Sequence, residues 1–367
     1  MISAAKDDAD RARLAARLAD VPKVLAPAEA ERRLEDWLSE LTPEQSAAMR
    51  ALTAAFPPVL AILLGVAESS PYLFDLMRAD PDRTLRLFRD EPEGALARLI
   101  AQISAAAEAG DEAEAMRQLR VVKAEAALLI ALCDIGGVWP VMQVTAGLTD
   151  IAGAAVRSAL RFLSRQEIAR GRLQPADIDR PEDGSGLVVL AMGKMGAGEL
   201  NYSSDIDLIV FFDLAAPTLA PGIEPQPFFV RLTQSLARML QQRTGDGYVF
   251  RVDLRLRPDP ASTQVAVSTA AALDYYEREG RTWERAAMIK ARPCAGDRKA
   301  GETMIAEISP FVWRKHLDFA ALADVHDMKR QMQTFRGQSE IAVENHNVKI
   351  GRGGIREIEF FAQTQQL

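Results

Sequence analysis

Two short runs set the terms for how this chain can fold. Up to about residue 180 the sequence is rich in Ala, Leu, Arg and Glu, and apolar residues recur at helical spacing, as in Arg120-Val-Val-Lys-Ala-Glu-Ala-Ala-Leu-Leu-Ile-Ala-Leu132. Then Leu187-Val-Val-Leu-Ala-Met192 and Asp205-Ile-Asp-Leu-Ile-Val-Phe-Phe212 read as buried strands, separated by the glycine-rich turn Gly193-Lys-Met-Gly-Ala-Gly198. Tyr248 to Arg257 alternates apolar and charged residues and ends at Pro258, so it reads as a third strand with two unlike faces. Phe228 to Arg243 has helical periodicity, and beyond about residue 268 the pattern is helical to the end. The fold class expected is α+β, predominantly helical, with a small mixed sheet flanked by helical bundles.

Breakers divide the helical part. Phe56-Pro57-Pro58, Ser70-Pro71 and Asp80-Pro81 separate helices, and Thr42-Pro43-Glu44-Gln45 reads as a helix start with proline in the first turn. The expected organisation is a helical region over 1–180, a sheet-bearing core over 181–265 and a helical region over 266–367 that closes the site. The run from Gly353 to Leu367 is helical with no stop signal, so the chain reads as a fragment of something longer.

Composition excludes several classes. Of 367 residues, 48% are hydrophobic and 26% charged, as in ordinary soluble globular proteins. The longest clean apolar run, Val59 to Ala67, is far short of the roughly 20 residues a membrane helix needs. The first residues carry acids and no apolar signal region, so no membrane association is expected. Cys133 and Cys294 are far apart, which fits a reducing, cytoplasmic setting. His316, His326 and His346 show no zinc-ligand spacing. A net charge of -7 argues against a nucleic-acid partner, yet residues 231–300 are locally basic, with 13 Lys/Arg against 8 Asp/Glu, as a held anion requires.

The chemistry is concentrated at the strands. Asp205 and Asp207 share one face of their strand, and unpaired buried carboxylates are costly. A divalent cation between them turns repulsion into attraction, and Mg²⁺ takes one or two carboxylates plus waters and phosphates. On the later strand Asp253 stands among Arg251, Arg255 and Arg257. Should the two strands be neighbours, three carboxylates converge, as a metal-assisted phosphoryl or nucleotidyl transfer requires. Arg255 and Arg257 are candidates for phosphate, together with Gly193 and Gly196 of the turn and Ser203 and Ser204 before the first aspartate. Lys349-Ile-Gly-Arg-Gly-Gly-Ile-Arg356 sets basic residues, Lys349 first, at a glycine-rich helix start. Arg281, Arg285 and Arg292 fall on one helical side and are read equally as an anion site or a solvated face.

Four stretches in order resemble a known family. Gly193-Lys-Met-Gly-Ala-Gly-Glu-Leu-Asn-Tyr-Ser-Ser-Asp-Ile-Asp-Leu-Ile209, Phe250-Arg-Val-Asp-Leu-Arg-Leu-Arg-Pro258, Gly280-Arg-Thr-Trp-Glu-Arg-Ala-Ala-Met-Ile-Lys-Ala-Arg292 and Lys349-Ile-Gly-Arg-Gly-Gly-Ile-Arg-Glu-Ile-Glu-Phe360 are similar to signatures of the bifunctional glutamine synthetase adenylyltransferase/adenylyl-removing enzymes. The resemblance implies a DNA polymerase β-type nucleotidyltransferase core. It marks Asp205, Asp207 and Asp253 as catalytic metal ligands for Mg²⁺, with phosphate and ADP or ATP as substrate or product. The wording Gly-Glu-Leu-Asn-x-Ser-Ser-Asp-Ile-Asp resembles the family's N-terminal copy. That copy implies phosphorolysis of adenylyl-tyrosine on glutamine synthetase, giving ADP, under the PII signal protein and glutamine as regulators. Ala197 stands where many members have glycine. Only the resemblance points to removal. The residues themselves leave open a forward adenylyltransferase using ATP, or a non-catalytic module that binds glutamine synthetase or the PII protein.

Overall fold

The computed structural model describes residues 11–215, 218–313, 344, 346–349 and 351–366. His316, His326, Pro217 and Leu367 lie outside the described residues. The chain forms two compact units: one from Met1–Phe162, Gly198–Ser204 and Met239–Phe250, the other from Leu163–Ala197, Asp205–Arg238 and Arg251–Leu367.

The first unit is helical. Six successive helices, α2 (Pro27–Glu40), α3 (Pro43–Ala55), α4 (Pro57–Ser69), α5 (Pro71–Ala79), α6 (Pro81–Arg89) and α7 (Pro92–Ala105), follow a short α1 (Leu14–Arg17), and each of the six opens on proline. Proline fits there because the first helical N–H has no partner in any case. At the helix start read from the sequence, Thr42 and Gln45 form a reciprocal cap: the Gln45 N–H donates to Thr42 Oγ1 at 3.2 Å and the Thr42 N–H to Gln45 Oε1 at 3.3 Å. Ser70 and Asp80 cap α5 and α6 through their side chains. The long α8 (Glu112–Ile135) is buried along Leu128–Cys133, and α9 (Val141–Ala169) follows. Arg120, on α8, is 1% exposed. It donates to the carbonyls of Gly247, Met116, Met239 and Gln242 at 3.0, 2.8, 3.1 and 2.6 Å, so a single buried guanidinium ties the 239–250 segment to the helix.

The second unit carries a five-stranded mixed sheet. Strand β1 (Leu187–Ala191) pairs antiparallel with β2 (Ile206–Phe212), in the register Val188↔Phe211 and Leu190↔Ile209. Between them lies α10, a single turn over Gly193–Gly196. Helix α11 (Pro225–Gln241) lays Phe229 on Phe212, ring centroids 4.9 Å apart. Strand β3 (Val252–Asp253) and β4 (Ala266–Ser268) both run parallel to β2, and β5 (Arg292–Gly296) pairs antiparallel with β1. On the face of Ile209 and Phe211 the sheet packs against α12 (Thr269–Arg278), α13 (Thr282–Met288) and α14 (Arg298–Val312), through Tyr276, Met288, Ile308 and Phe311. Helix α15 (Ile355–Gln366) completes the described chain.

Two expectations are corrected. The strand read over Tyr248–Arg257 shrinks to Val252–Asp253. The Val249 and Phe250 amides donate to the Leu240 carbonyl at 2.9 and 3.2 Å and so leave the ladder. After Asp253 the chain turns, because the Arg255 N–H donates to Asp253 Oδ1 at 2.9 Å. The helical reading beyond 268 misses β5, whose Pro293 and Gly296 speak against a strand. Proline is tolerated at a sheet edge, and β5 stands at one.

Candidate active site

Strand alternation places Asp207 on the face of Ile209 and Phe211, at the end of β2 where that face leaves the core. Asp207 and Asp253 are register partners across the parallel β2–β3 pair. The Asp207 carbonyl accepts from the Met192 N–H at 2.9 Å, and the Ile206 N–H donates to the Arg251 carbonyl at 2.9 Å, so main-chain bonds fix both strand starts. Gly193 adopts φ of 53°, and a Cβ there would lie 2.7 Å from Asp207 Oδ2. The turn therefore lies directly against the carboxylate, and a side chain has no room. Gly196 is held for a different reason: a Cβ would meet the Lys290 carbonyl oxygen at 2.0 Å. Ala197 has φ of -74°, a right-handed conformation that any residue adopts, so alanine in place of the family's glycine carries no strain.

Electrostatics single out Asp207. Burial, then the charges of Asp253 and Asp205, push its carboxyl up to about 6, against the opposing pull of Arg255 and Arg356. Asp253 goes the other way. Arg255 donates to it through Nε at 3.0 Å to each oxygen, and this holds its carboxyl below the usual range. Asp205 is paired with the Arg251 guanidinium. Among the described residues, no three His, Cys, Asp or Glu side chains stand close enough to cage an ion. The donor set nevertheless suits a hard divalent cation: two carboxylates on adjacent strands, one carrying a charge its surroundings oppose, and a third, Asp205, two residues before Asp207.

The other candidate residues fall in several places. Arg257 donates to the carbonyls of Leu254, Pro260 and Thr263 at 2.8, 2.9 and 3.0 Å, so it braces the loop after β3. The Arg255 side chain is 83% exposed and bound to Asp253, which leaves it room to swing toward a phosphate. Ser203, with φ of 54°, and Ser204 belong to the first unit, the carboxylates to the second. Lys349 is exposed. Its carbonyl accepts from the Arg356 N–H at 3.0 Å, and the Ile355 and Gly354 amides donate to Val348 and Gly351 carbonyls at 2.8 and 2.9 Å. The start of α15 thus has these amides engaged, and the group it offers toward Asp207 is the Arg356 side chain.

Arg285 and Arg292 of the Gly280–Arg292 stretch serve the fold. Arg285 is buried and donates to the carbonyls of Phe311 and Val312 at 3.0 and 3.2 Å. Arg292 donates to the Gly196 and Met195 carbonyls at 3.2 and 3.1 Å, which steadies the turn against Asp207. Lys290 pairs with Glu359 of α15 at 2.8 Å. Arg251 and Arg356 are not singled out by the sequence reading as site components, and Arg292, read there equally as part of an anion site or a solvated face, braces the turn. For Arg251 the signal was available, since it precedes Asp253 by two positions and shares its side of the run.

Comparison with known sequences decides the family. The profile of the family described as glutamate-ammonia ligase adenylyltransferase matches residues 60–306. The chain belongs to that family. A second profile, GlnD PII-uridylyltransferase, matches residues 323–367. Proteins of Rhodopseudomonas palustris and Bradyrhizobium diazoefficiens, each named bifunctional glutamine synthetase adenylyltransferase/adenylyl-removing enzyme, are 69% identical over all of this chain and 71% identical over 96% of it. One of Xanthobacter autotrophicus, with the same name, is 59% identical over 98%. The chain spans 37%, 36% and 36% of these relatives. Both cysteines are buried free thiols, and among the described residues no single helix is long and apolar enough to cross a membrane.

Proposed function

We propose that this chain removes AMP from adenylylated glutamine synthetase by Mg²⁺-dependent phosphorolysis. One observation carries the reading: Asp207 and Asp253 face each other in register beneath a glycine turn, and Asp207 holds a charge that its surroundings oppose. An oxygen of inorganic phosphate attacks the phosphorus of the adenylyl-tyrosine. The bond from that phosphorus to the tyrosine oxygen breaks, the phenolate takes a proton from solvent, and ADP leaves. Asp205, Asp207 and Asp253 would hold Mg²⁺, which when bound neutralises phosphate oxygens and aligns the displacement. Arg251 and Arg255, paired to Asp205 and Asp253, can transfer their hydrogen bonds from carboxylate to phosphate oxygens. The direction follows the resemblance of Gly198–Asp207 to the removing copy of the family. Glutamine synthetase is then the protein substrate, and the PII protein is the regulator that the second profile match favours. A cytoplasmic location accompanies this role.

The test is ADP release from adenylylated glutamine synthetase incubated with the chain, phosphate and Mg²⁺. Release that depends on all three and disappears in Asp205→Asn supports the reading. ATP-dependent transfer of AMP to unmodified synthetase would reverse the direction, and tight Mg²⁺-independent binding without turnover would make the chain a regulatory module.

A further inference from the structure

Helix α15 is fastened to the carboxylate site by an ion pair that the chemistry above does not use. Lys290 lies against the glycine turn, where a Cβ on Gly196 would meet its carbonyl oxygen at 2.0 Å. The same turn covers Asp207, since a Cβ on Gly193 would stand 2.7 Å from Asp207 Oδ2. From that position the Lys290 side chain, 20% exposed, pairs with Glu359 of α15 at 2.8 Å. Water and salt screen a partly buried pair less than an exposed one, so it holds its two elements together more firmly. Through Lys290, α15 is thus tied to the turn that lies on Asp207.

Arg356 precedes Glu359 by three residues in this helix, so the two side chains leave it on one side, about a turn apart. The bond that holds Glu359 at Lys290 therefore turns Arg356 toward the site as well. Its charge is felt there, drawing the Asp207 carboxyl down against the effect of burial. The Arg356 main-chain N–H is engaged, donating to the Lys349 carbonyl at 3.0 Å. Its guanidinium is exposed and, among the described residues, makes no hydrogen bond or ion pair. Arg251 and Arg255 differ, each being paired to an aspartate. A phosphate must displace a carboxylate to reach either of those two, whereas Arg356 offers its planar pair of donors at once.

We propose that Arg356 binds phosphate oxygens of the substrate at the carboxylate cluster, and that the Lys290–Glu359 ion pair positions it there. This role rests on the nucleotidyl-transfer reading of the three aspartates and deepens it by one substrate-binding residue and two positioning residues. It holds for either direction of transfer, because removal and addition of AMP both bring phosphate groups to the same carboxylates.

The experiment measures binding of ADP with Mg²⁺ to the full chain by calorimetry, beside ADP release from adenylylated glutamine synthetase at varied phosphate. Arg356→Met is expected to raise Kd for ADP about tenfold, the effect of losing one charge-assisted contact, and Arg356→Lys to recover part of the loss. Glu359→Lys, which sets two cations against each other, is expected to weaken ADP about as much as Arg356→Met. The reversed pair, Lys290→Glu with Glu359→Lys, should return Kd to within about threefold of wild type. Arg356→Met combined with Glu359→Lys should bind no more weakly than Arg356→Met alone, a non-additivity that general loss of structure does not produce. Wild-type affinity in Arg356→Met overturns the role of Arg356, as does a wild-type chain that binds no ADP at millimolar concentration. Additive losses in the combined variant, or a reversed pair that restores nothing, overturn positioning by the ion pair. ADP binding that depends on Arg356, in a chain that releases no ADP from the adenylylated synthetase, upholds this role while refuting phosphorolysis, so the two are read separately.

Discussion

Replacing Asp207 by Asn should stabilise the ion-free protein above neutral pH while abolishing ADP release. The Asp207 carboxyl is pushed from its ordinary value of 3.8 up to about 6, first by burial and then by the charges of Asp253 and Asp205. A difference of roughly 2 in pKa corresponds to about 3 kcal/mol against the ionised form in the fold. The side chain is only partly buried, so solvent screening reduces this to about 1–2 kcal/mol. The sign follows from proton binding. Between about pH 4 and pH 6 the folded chain keeps a proton that the unfolded chain has released, so stability falls as pH rises through that window. Below it both states are protonated and Asn gains nothing; above it Asn escapes the whole penalty. At about 2–4 °C per kcal/mol, the Asp207→Asn protein should melt roughly 2–8 °C above wild type at pH 8 in EDTA, with the gain fading toward pH 4. Adding Mg²⁺ should raise the wild-type melting temperature and leave that of Asp207→Asn nearly unchanged. A variant that melts at or below wild type at pH 8 in EDTA would refute the claim that these carboxylates oppose one another in the fold. The inference of a cation site would then lose its physical basis.

Two further outcomes are expected. Gly193→Ala forces a Cβ to 2.7 Å from Asp207 Oδ2 at φ of 53°, with backbone strain of about 1–2 kcal/mol; ADP release should drop at least tenfold, and wild-type turnover would show that the turn does not locate the carboxylate. Arg120→Met leaves four carbonyls without their donor and should cost about 3–5 kcal/mol in urea denaturation, whereas a loss below about 1 kcal/mol would mean that water or a neighbour replaces the guanidinium.

The parts legible in the sequence were those written in local chemistry. Proline with a Ser, Thr or Asp before it marks α3, α5 and α6, because the cap and the missing N–H act within one turn. The apolar runs at 187–191 and 206–212 are strands because both of their faces are covered. Asp207 and Asp253 converge only where their strands are neighbours, and the pairing that brings them together is non-local. What local pattern concealed was competition for amides. The 248–257 run alternates as a strand should, yet Val249 and Phe250 bond back to Leu240 at the end of the preceding helix. Edge strand β5 carries no apolar alternation at all, and its partner alone makes it a strand.

The same distinction separates the residues that a family signature groups together. The stretch from Gly280 to Arg292 is as recognisable as the aspartate strand, but two of its charges, Glu284 and Arg285, are turned inward. Glu284 is buried and accepts from the Arg281 N–H and the Tyr275 hydroxyl, and Arg285 is committed to carbonyls at the end of α14. Arg292 reaches the site, and it does so by gripping the turn that lies on Asp207. A buried arginine bonded to carbonyls cannot be exchanged for another cation without leaving acceptors unsatisfied, so such a position is as constrained as a ligand. On the proposed function, two arginines placed to act on a substrate have a carboxylate partner and access to solvent, Arg251 and Arg255. Each neutralises an aspartate that would otherwise repel Asp207, a task that a cation held by Asp205, Asp207 and Asp253 would take over. On the phosphorolytic reading proposed above, filling of the carboxylate cluster would therefore free two guanidiniums for phosphate.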